Sequence, residues 1–218
     1  MSILDPSEAE AQFTGNWSPQ TPIPNKLRQF GYCVNFNELL PGDLILVSSN
    51  KPGLIAKAIR KVQAMGGYAK ADSRWEHAAI YIGSESVCES ERSGVQINSI
   101  YKYIGPYSLR IKRNNNLTPD QRWNLVVYAL IQKNYSYGFL SVFRLLMKSI
   151  RGYWIHQGSP INSPLPSRSV YCSQLFADAH VKACGVPLGN LTSGEATPAS
   201  LSLDTKLVDV NISWLRIS

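Results

Sequence analysis

Thiols and imidazoles are the side chains in this sequence whose types and spacing could carry out covalent chemistry. The four cysteines form no C-x-x-C pair and show no metal-ligand spacing, so neither a zinc site nor a redox dithiol is predicted. So few cysteines in a chain of this length make a disulfide scaffold unexpected, and although their even count permits two bridges, the lack of a visible signal peptide favours free thiols. The cysteines are Cys33, Cys88, Cys172 and Cys184, and the histidines are His77, His156 and His180.

Cys172 has the surroundings that best suit a nucleophile. It follows a Ser/Pro-rich loop at 158–169 and begins a predicted helix, where free N–H groups and the helix dipole lower a thiol pKa. Cys184 lies at the opposite end of that helix, and Cys88 alternates with its neighbours in a predicted strand. We therefore expect Cys172 to attack substrate and its own backbone N–H to face the developing oxyanion.

A thiol nucleophile needs an imidazole that takes its proton and returns it. His77 opens a predicted strand directly after a polar loop, a position from which a side chain can reach a cleft. His180 lies eight residues after Cys172 on the same helix, about 12 Å along the helix axis, and so cannot be the partner. His156 lies in a loop and stays an alternative to His77.

A carboxylate that orients the imidazole could come from Glu89, on the strand that returns after the His77 strand. A three-residue turn at 84–86 would point Glu89 to the same sheet face as His77, whereas a two-residue turn would reverse it. In either register, contact between the two side chains requires strand twist or a bulge. The alternative carboxylates are those of Glu76 and Glu91.

The elements that must position these side chains follow from hydrophobic spacing and from capping residues. Strands are predicted at 43–47, 77–82, 87–90, 108–112 and 206–210. Helices are predicted from Pro52 to the Gly66–Gly67 pair, after the capping box of Thr118, Pro119 and Gln121, over about 139–150, and over 171–183 before Gly185. The pattern predicts an α+β domain with a small, mainly antiparallel sheet packed on helices.

Composition limits the class of protein. The chain has 218 residues and is 44% apolar, which is enough to bury a core and excludes global disorder. No stretch reaches the roughly 18 apolar residues of a membrane-spanning helix, and the acidic N-terminus predicts no secretory signal peptide. We expect residues 1–40 to form a polar arm and residues 41–218 to form one domain with a helical insert at about 114–160.

The net charge of +7 fits a nucleic-acid partner, an anionic lipid surface, or solubility alone. Zinc-finger spacing and a basic region followed by heptads are both absent from the sequence, so no nucleic-acid partner is predicted. The predicted helix at about 139–150 combines a basic stripe with apolar residues, which suits an anionic bilayer surface. The basic residues at that helix are Arg144, Lys148 and Arg151, and Lys57, Arg60, Lys61 and Lys70 precede His77.

Four short blocks, taken in order along the chain, resemble a known superfamily. They read GDLIL at 42–46, HAAIYIG at 77–83, VCES at 87–90 and YCSQLF at 171–176. Together they are similar to the circularly permuted papain-like hydrolases of the NlpC superfamily, in whose permuted members the histidine strand precedes the cysteine helix. The similarity is greatest to the YaeF/YiiX group, with the lecithin:retinol acyltransferase-like enzymes as more distant cousins.

The resemblance implies a circularly permuted papain-like (NlpC-type) fold. The roles it implies are nucleophile for Cys172, general base for His77, orienting acid for Glu89 and pocket residue for Tyr171. Asp43 would belong to a structural Gly-Asp turn. The sequence departs from the family at Glu76, where a serine often precedes the histidine, and this concerns the rim of the cleft.

We therefore expect a cysteine-dependent acyl hydrolase that works through a thioester and needs no cofactor or metal. The first predicted substrate is a membrane phospholipid ester, bound with help from Tyr171, Arg144, Lys148 and Arg151. The alternatives are an amidase or endopeptidase cutting peptidoglycan peptides, and a non-catalytic module binding lipid or peptide. Class resemblance further suggests a bacterial effector, made in the cytoplasm, exported by a dedicated secretion machine to an envelope, and paired with an immunity protein.

Overall fold

The computed structural model describes residues 13–17, 24–133, 136–137, 169–189 and 195–217. The strands are β1 (Phe13–Trp17), β2 (Tyr32–Val34), β3 (Leu44–Ser49), β4 (His77–Gly83), β5 (Ser86–Glu91), β6 (Gly94–Ser99), β7 (Tyr107–Arg113), β8 (Ser136–Tyr137), β9 (Ser169–Val170), β10 (Val208–Asp209) and β11 (Trp214–Ile217). The helices are α1 (Asn25–Phe30), α2 (Leu54–Met65), α3 (Lys70–Ser73), α4 (Pro119–Ile131), α5 (Cys172–Cys184) and α6 (Pro198–Leu203), and two short 3-10 helices span Phe36–Glu38 and Ile100–Tyr103.

The main sheet has six strands in the order β10-β7-β3-β4-β5-β6, and every neighbouring pair is antiparallel. A second sheet has the order β1-β11-β2, and β8 pairs with β9 in parallel just before α5. The prediction of an α+β domain with a mainly antiparallel sheet packed on helices is therefore confirmed. The circularly permuted papain-like assignment stays a prediction.

The central strands β3 and β4 are apolar on both faces because each face of the sheet is covered. One face packs against the β1-β11-β2 sheet and the Ile100–Tyr103 helix, and the other packs against α4 and α5. Alternation along β3 divides its residues between the two cores, with Ile45 in the first and Leu46 in the second. Both faces of the central strands are covered, so a site shared by the sheet and the helix layer is expected at the end of a strand. His77 begins β4 and Cys172 begins α5.

Helix α4 begins as the sequence predicts. Thr118 accepts a hydrogen bond from the Gln121 backbone, the Gln121 side chain accepts one from the Thr118 backbone, and Pro119 is the first helical residue. Helix α5 ends at Gly185, whose φ of 72° lies in the left-handed region that glycine adopts most easily. Both predicted helix boundaries are confirmed.

Asp43 joins the start of β3 to the end of β7 and to α4. Its fully buried carboxylate accepts hydrogen bonds from Arg113 at 2.6 and 2.7 Å and from the Leu40 backbone at 2.8 Å, and Arg122 lies 3.6 Å away. The preceding Gly42 has a φ of 85°, a backbone conformation that residues other than glycine rarely adopt. Asp43 thus has a structural position.

Within the predicted N-terminal arm, five of the residues described from 24 to 40 are buried in the core. These five pack in the same cluster as β3 and β4, and they are Leu27, Cys33, Val34, Phe36 and Leu39. The polar composition hides this contribution because a few apolar side chains, spaced irregularly, are enough to seal one face of a sheet. The division of the chain at residue 40 itself stays a prediction.

The predicted insert at about 114–160 begins with a helix that is part of the domain core. Helix α4 packs along α5 and buries Leu125 and Ala129 in the cluster that contains Cys172. The second predicted helix of the insert, at about 139–150, lies outside the described residues. Among the helices that are described, none is both long enough and apolar enough to cross a bilayer.

Several elements were not foreseen. Helices α3 and α6 and strand β11 have too few residues to show a hydrophobic period, whereas β6 does alternate apolar Val95 and Ile97 with polar Gln96 and Asn98. Helix α2 begins at Leu54 with Gly53 as its N-cap residue, so the prediction that Pro52 is its first residue is wrong by two positions. None of these differences moves the strand and helix that carry His77 and Cys172.

Candidate active site

The β4–β5 hairpin decides where Glu89 points. Its turn has two residues, Ser84 and Glu85, with φ values of 48° and 58°, and a regular ladder after such a turn would set Glu89 on the face opposite to His77. A bulge at Ile82 adds one residue to β4, so that Glu89 pairs with Ala79 instead. Because residues two apart share a face, Glu89 and His77 lie on the same side of the sheet.

The imidazole and the carboxylate are in direct contact. His77 Nε2 lies 2.5 Å from Glu89 Oε2, and the Glu89 side chain is 0% exposed, whereas that of His77 is 19% exposed. Glu89 occupies Nε2, so Nδ1 is the ring nitrogen left to face another partner. The carboxylate therefore fixes both the orientation of the ring and the nitrogen that is free to exchange a proton.

Glu89 has three further partners besides His77. Oε1 accepts hydrogen bonds from Lys102 Nζ at 2.7 Å and from Asn98 Nδ2 at 2.9 Å, and Oε2 accepts one from the Tyr103 hydroxyl. Burial alone would raise the pKa of Glu89, but the hydrogen bond and charge of His77, with the bonds from Lys102 and Tyr103, lower it to about 2. Glu89 is thus held as a buried anion.

Cys172 is brought to His77 by helix α5. It is the first residue of that helix, it is almost fully buried, and its side chain is hydrogen-bonded to His77. The backbone N–H groups of Ala78 and Ser173 also help to lower the pKa of its thiol. The sulfur therefore lies beside the first two residues of β4, at the point where the helix layer meets the strand end.

The thiol and the imidazole shift each other's pKa. Burial would lower the pKa of His77, but the charge and hydrogen bond of Cys172, together with Glu89, raise it to about 10. Burial would likewise raise the pKa of Cys172, but the charge and hydrogen bond of His77 and the two backbone N–H groups lower it. The arrangement favours a thiolate–imidazolium pair.

The other sulfurs and the other described histidine lie in positions that are structural. Burial raises the pKa of both Cys33 and Cys88 to about 12, which keeps these thiols protonated. His180 is buried, accepts a hydrogen bond from Asn114 Nδ2 and donates one from Nδ1 to the Val186 carbonyl. All four cysteines are free thiols, as predicted.

The structure places the remaining predicted site residues as follows. Tyr171 is the buried N-cap residue of α5, next to the cysteine. Arg144, Lys148 and Arg151 lie outside the described residues, as does His156. Of the alternative carboxylates, Glu76 binds Arg60 and the Ser49 backbone, and Glu91 binds Lys102, so neither displaces Glu89 from the imidazole.

Sequence reasoning missed Asn98, Lys102 and Tyr103. Asn98 lies on β6, and the other two lie on the 3-10 helix that follows it, so their meeting at Glu89 depends on the β5–β6 register. The spacing of residue types along the chain does not predict the pairing register of β5 and β6. The one available signal was chemical, because a carboxylate buried in a sheet needs hydrogen-bond donors or a cation nearby.

Within 13–17, 24–133, 136–137, 169–189 and 195–217, no group of three or more His, Cys, Asp or Glu side chains is placed to hold a metal ion. The candidate site consists of the thiol, the imidazole and the carboxylate with its donors.

Comparison with curated proteins finds a distant relative. The chain is 27% identical over 184 residues to the "Probable lipoprotein peptidase YaeF" of Escherichia coli (strain K12). The match covers 75% of this chain and 63% of that protein, so the chain spans less than two thirds of the relative's length. No protein-family model matches the chain. The relative's name fits the predicted YaeF/YiiX group and is consistent with a hydrolase.

Proposed function

We propose that this protein is a thiol hydrolase in which Cys172 attacks the carbonyl carbon of an acyl bond. The observation that supports this most directly is the continuous contact from Cys172 through His77 to Glu89 at the N-terminus of a helix. Such a chain supplies a nucleophile, a proton carrier and a group that orients the carrier. A relative named as a probable peptidase supports the same reaction class.

In the proposed reaction, the Cys172 thiolate forms a C–S bond to the carbonyl carbon, and the carbonyl oxygen becomes an oxyanion facing the Cys172 backbone N–H. His77 Nδ1 gives its proton to the leaving nitrogen or oxygen as the acyl bond breaks, which leaves a thioester. Water then attacks the thioester, neutral His77 takes the water proton, and the C–S bond breaks. The products are the acid, the restored thiolate and the imidazolium.

Glu89 would not touch substrate in this mechanism. It holds His77 through Nε2, so that the proton is always exchanged at the nitrogen facing Cys172. Its negative charge also stabilises the imidazolium that exists before acyl attack and after thioester hydrolysis. Glu89 is thus proposed as the positioning residue of a Cys-His-Glu triad.

The bond that is cut has two candidates. The relative's name, a probable lipoprotein peptidase, favours a peptide amide, whereas the predicted endopeptidase alternative cuts the amides of peptidoglycan peptides. The net charge of +7 favours a phospholipid acyl ester, because a basic protein is attracted to anionic membranes. Release as a bacterial effector, with a secretion carrier and an immunity protein, stays a prediction for either substrate.

The experiment compares wild-type protein with Cys172→Ala on three substrates: lipoprotein, phospholipid vesicles and purified peptidoglycan. We expect Cys172→Ala to lower turnover at least about 1000-fold on the true substrate without changing the fold. Cys184→Ala, which removes another free thiol of the same helix, is the matched control and should keep full activity.

The products separate the candidates. Shortened polypeptides identify a protein amidase, released fatty acid identifies an esterase, and shortened muropeptides identify a cell-wall amidase. Full activity in Cys172→Ala would overturn the thiol mechanism. Binding of one substrate by the wild type with no product from any of them would favour the non-catalytic module instead.

A further inference from the structure

Helix α2 attaches to the rest of the protein through a polar side chain. Gln63 is its buried residue, and its amide donates to the Ser73 carbonyl at 3.0 Å and to the Trp75 carbonyl at 2.8 Å. The Gln63 amide oxygen accepts a hydrogen bond from the Ala199 backbone at 3.0 Å. The side of α2 that faces the protein is therefore held by amide hydrogen bonds.

The apolar side chains of α2 face away from that attachment. Leu54 is 86% exposed, Met65 is 47% exposed and Ile55 is 42% exposed, and Ala58 is exposed as well. At about 100° per residue, Leu54, Ala58 and Met65 fall within about 40° of one another around the helix, on the side opposite to Gln63. An amphipathic surface helix normally buries such a face.

Basic residues flank this exposed apolar face. Residues 51–71 contain five Lys or Arg and no Asp or Glu. Lys57 and Lys61 are exposed on α2, Lys51 precedes the helix and Lys70 follows it, and none of the four forms an ion pair with another described residue. The surface thus combines apolar side chains with an uncompensated positive charge.

We propose that α2 is a membrane-docking helix that lies flat on an anionic bilayer. Leu54, Ile55 and Met65 would enter the acyl boundary, while Lys57 and Lys61 contact lipid phosphates. Charge complementarity favours this partner, because an anionic bilayer offers both an apolar layer for the exposed side chains and negatively charged groups that can pair with the lysines. A second protein would need a matching acidic and apolar surface.

Docking at α2 would carry the candidate active site to the bilayer. Unlike the exposed lysines of α2, Arg60 forms an ion pair within the protein. Its partner is Glu76, which directly precedes His77. The Gln63 amide donates a hydrogen bond to the carbonyl of Trp75, which lies two residues before His77. Helix α2 is therefore tied to the segment that leads into the imidazole, and its position does not depend on whether Cys172 is reactive.

A second exposed apolar stripe provides a matched control. On α4, Trp123 and Val127 are each 53% exposed and Ile131 is 64% exposed. These side chains share a face by their four-residue spacing, but the exposed charged residue of that helix is the acidic Asp120. The α4 stripe resembles α2 in exposed apolar character but has no exposed Lys or Arg on the helix itself, and Lys133 is the exposed basic residue that follows it.

The test is vesicle co-sedimentation of the full chain carrying Cys172→Ala, so that no turnover occurs. The probes are phosphatidylcholine vesicles with and without phosphatidylglycerol. We expect binding to the anionic vesicles alone, weakened by added salt. Lys57→Gln and Lys61→Gln should each weaken binding about fivefold, Leu54→Gln should weaken it by a similar factor, and Ile131→Gln should leave it unchanged.

Three outcomes would overturn the proposal. The first is absence of binding to anionic vesicles in the Cys172→Ala protein. The second is a Leu54→Gln protein that changes from dimer to monomer in light scattering, which would assign the face to a second copy of the chain. The third is a marked loss of thermal stability in Leu54→Gln without any loss of vesicle binding, which would mean that the protein itself covers this face.

Discussion

Glu89 is the residue around which the candidate site is organised. It is fully buried, and it collects hydrogen bonds from His77, Lys102, Asn98 and Tyr103. A carboxylate with this many donors stays ionised far below neutral pH, which keeps the imidazole charged and aimed at Cys172. The three added donors therefore bear on the chemistry through Glu89.

The pH profile of the proposed enzyme follows from these interactions. The active form pairs a thiolate with an imidazolium, so activity falls on the acid side as Cys172 gains a proton and on the alkaline side as His77 loses one. Because the pKa of His77 is raised to about 10, we expect the alkaline limb of kcat/KM near pH 10. Lys102→Met removes a cation and should raise the pKa of both groups, moving the whole profile upward by about half a pH unit.

Two further variants test the predicted direction of this shift in the pH profile. Lys102→Arg keeps the charge and should restore the wild-type profile, whereas Glu91→Gln removes an anion and should move the profile to lower pH. The measurement is kcat/KM against pH for each variant. An unchanged profile in Lys102→Met, with only its stability reduced, would limit Lys102 to a structural role.

At the scale of elements, one added residue determines whether the acid can serve the histidine. Without the bulge at Ile82, the two-residue turn would pair Glu89 with Ile80 and point it to the face packed by α4 and α5. With the bulge, Glu89 reaches His77 along the diagonal of the ladder. The hairpin is thus the element that links the carboxylate to the imidazole.

Helix α4 supports the cysteine helix without entering the site. It packs along α5, and its N-terminus depends on Thr118. We expect Thr118→Ala to lower the free energy of unfolding by about 1 kcal/mol, because the backbone N–H of Gln121 loses its acceptor. Chemical denaturation measures the change, with Thr118→Ser as the control that keeps the hydroxyl.

Activity should be unchanged in both proteins under conditions where they are folded. A Thr118→Ala protein as stable as the wild type would show that tertiary packing alone holds this end of α4. A Thr118→Ser protein as unstable as Thr118→Ala would show that the methyl group, not the capping hydroxyl, is the stabilising part of the side chain.

At the scale of the whole molecule, the two cores and the helix layer are joined at Asp43. It lies at the start of the central strand and faces Arg113 at the end of β7 and Arg122 on α4. These charges are largely removed from water, so their stability depends on remaining paired. A change at Asp43 therefore affects strand, neighbouring strand and helix together.

We expect Asp43→Asn to destabilise the protein by about 3 kcal/mol, because two arginines lose their buried counter-charge. Urea unfolding measures the loss, and Asp120→Asn, in the exposed first turn of α4, is the control that should lower stability by at most about 1 kcal/mol, because it gives up only an interaction with the helix dipole. A midpoint for Asp43→Asn equal to that of the wild type would contradict a structural role for this ion cluster.

The sequence by itself determined the parts of the site that depend on local order. The capping residues of α4 and the end of α5 at Gly185 are visible in the chain because they arise from hydrogen bonds between residues a few positions apart. The same locality places Cys172 at a helix start and His77 at a strand start. It excludes His180 as well, because helix geometry fixes its distance from Cys172.

Only the tertiary structure decided which residues meet. The register of the β4–β5 hairpin, and hence the side on which Glu89 lies, depends on a bulge that no local pattern specifies. Asn98, Lys102 and Tyr103 reach Glu89 through a second hairpin register, and α2 exposes its apolar face because Gln63 finds carbonyl partners in α3 and the segment after it. These contacts join residues distant in the chain, and their geometry is fixed only when the strands pair and the layers pack.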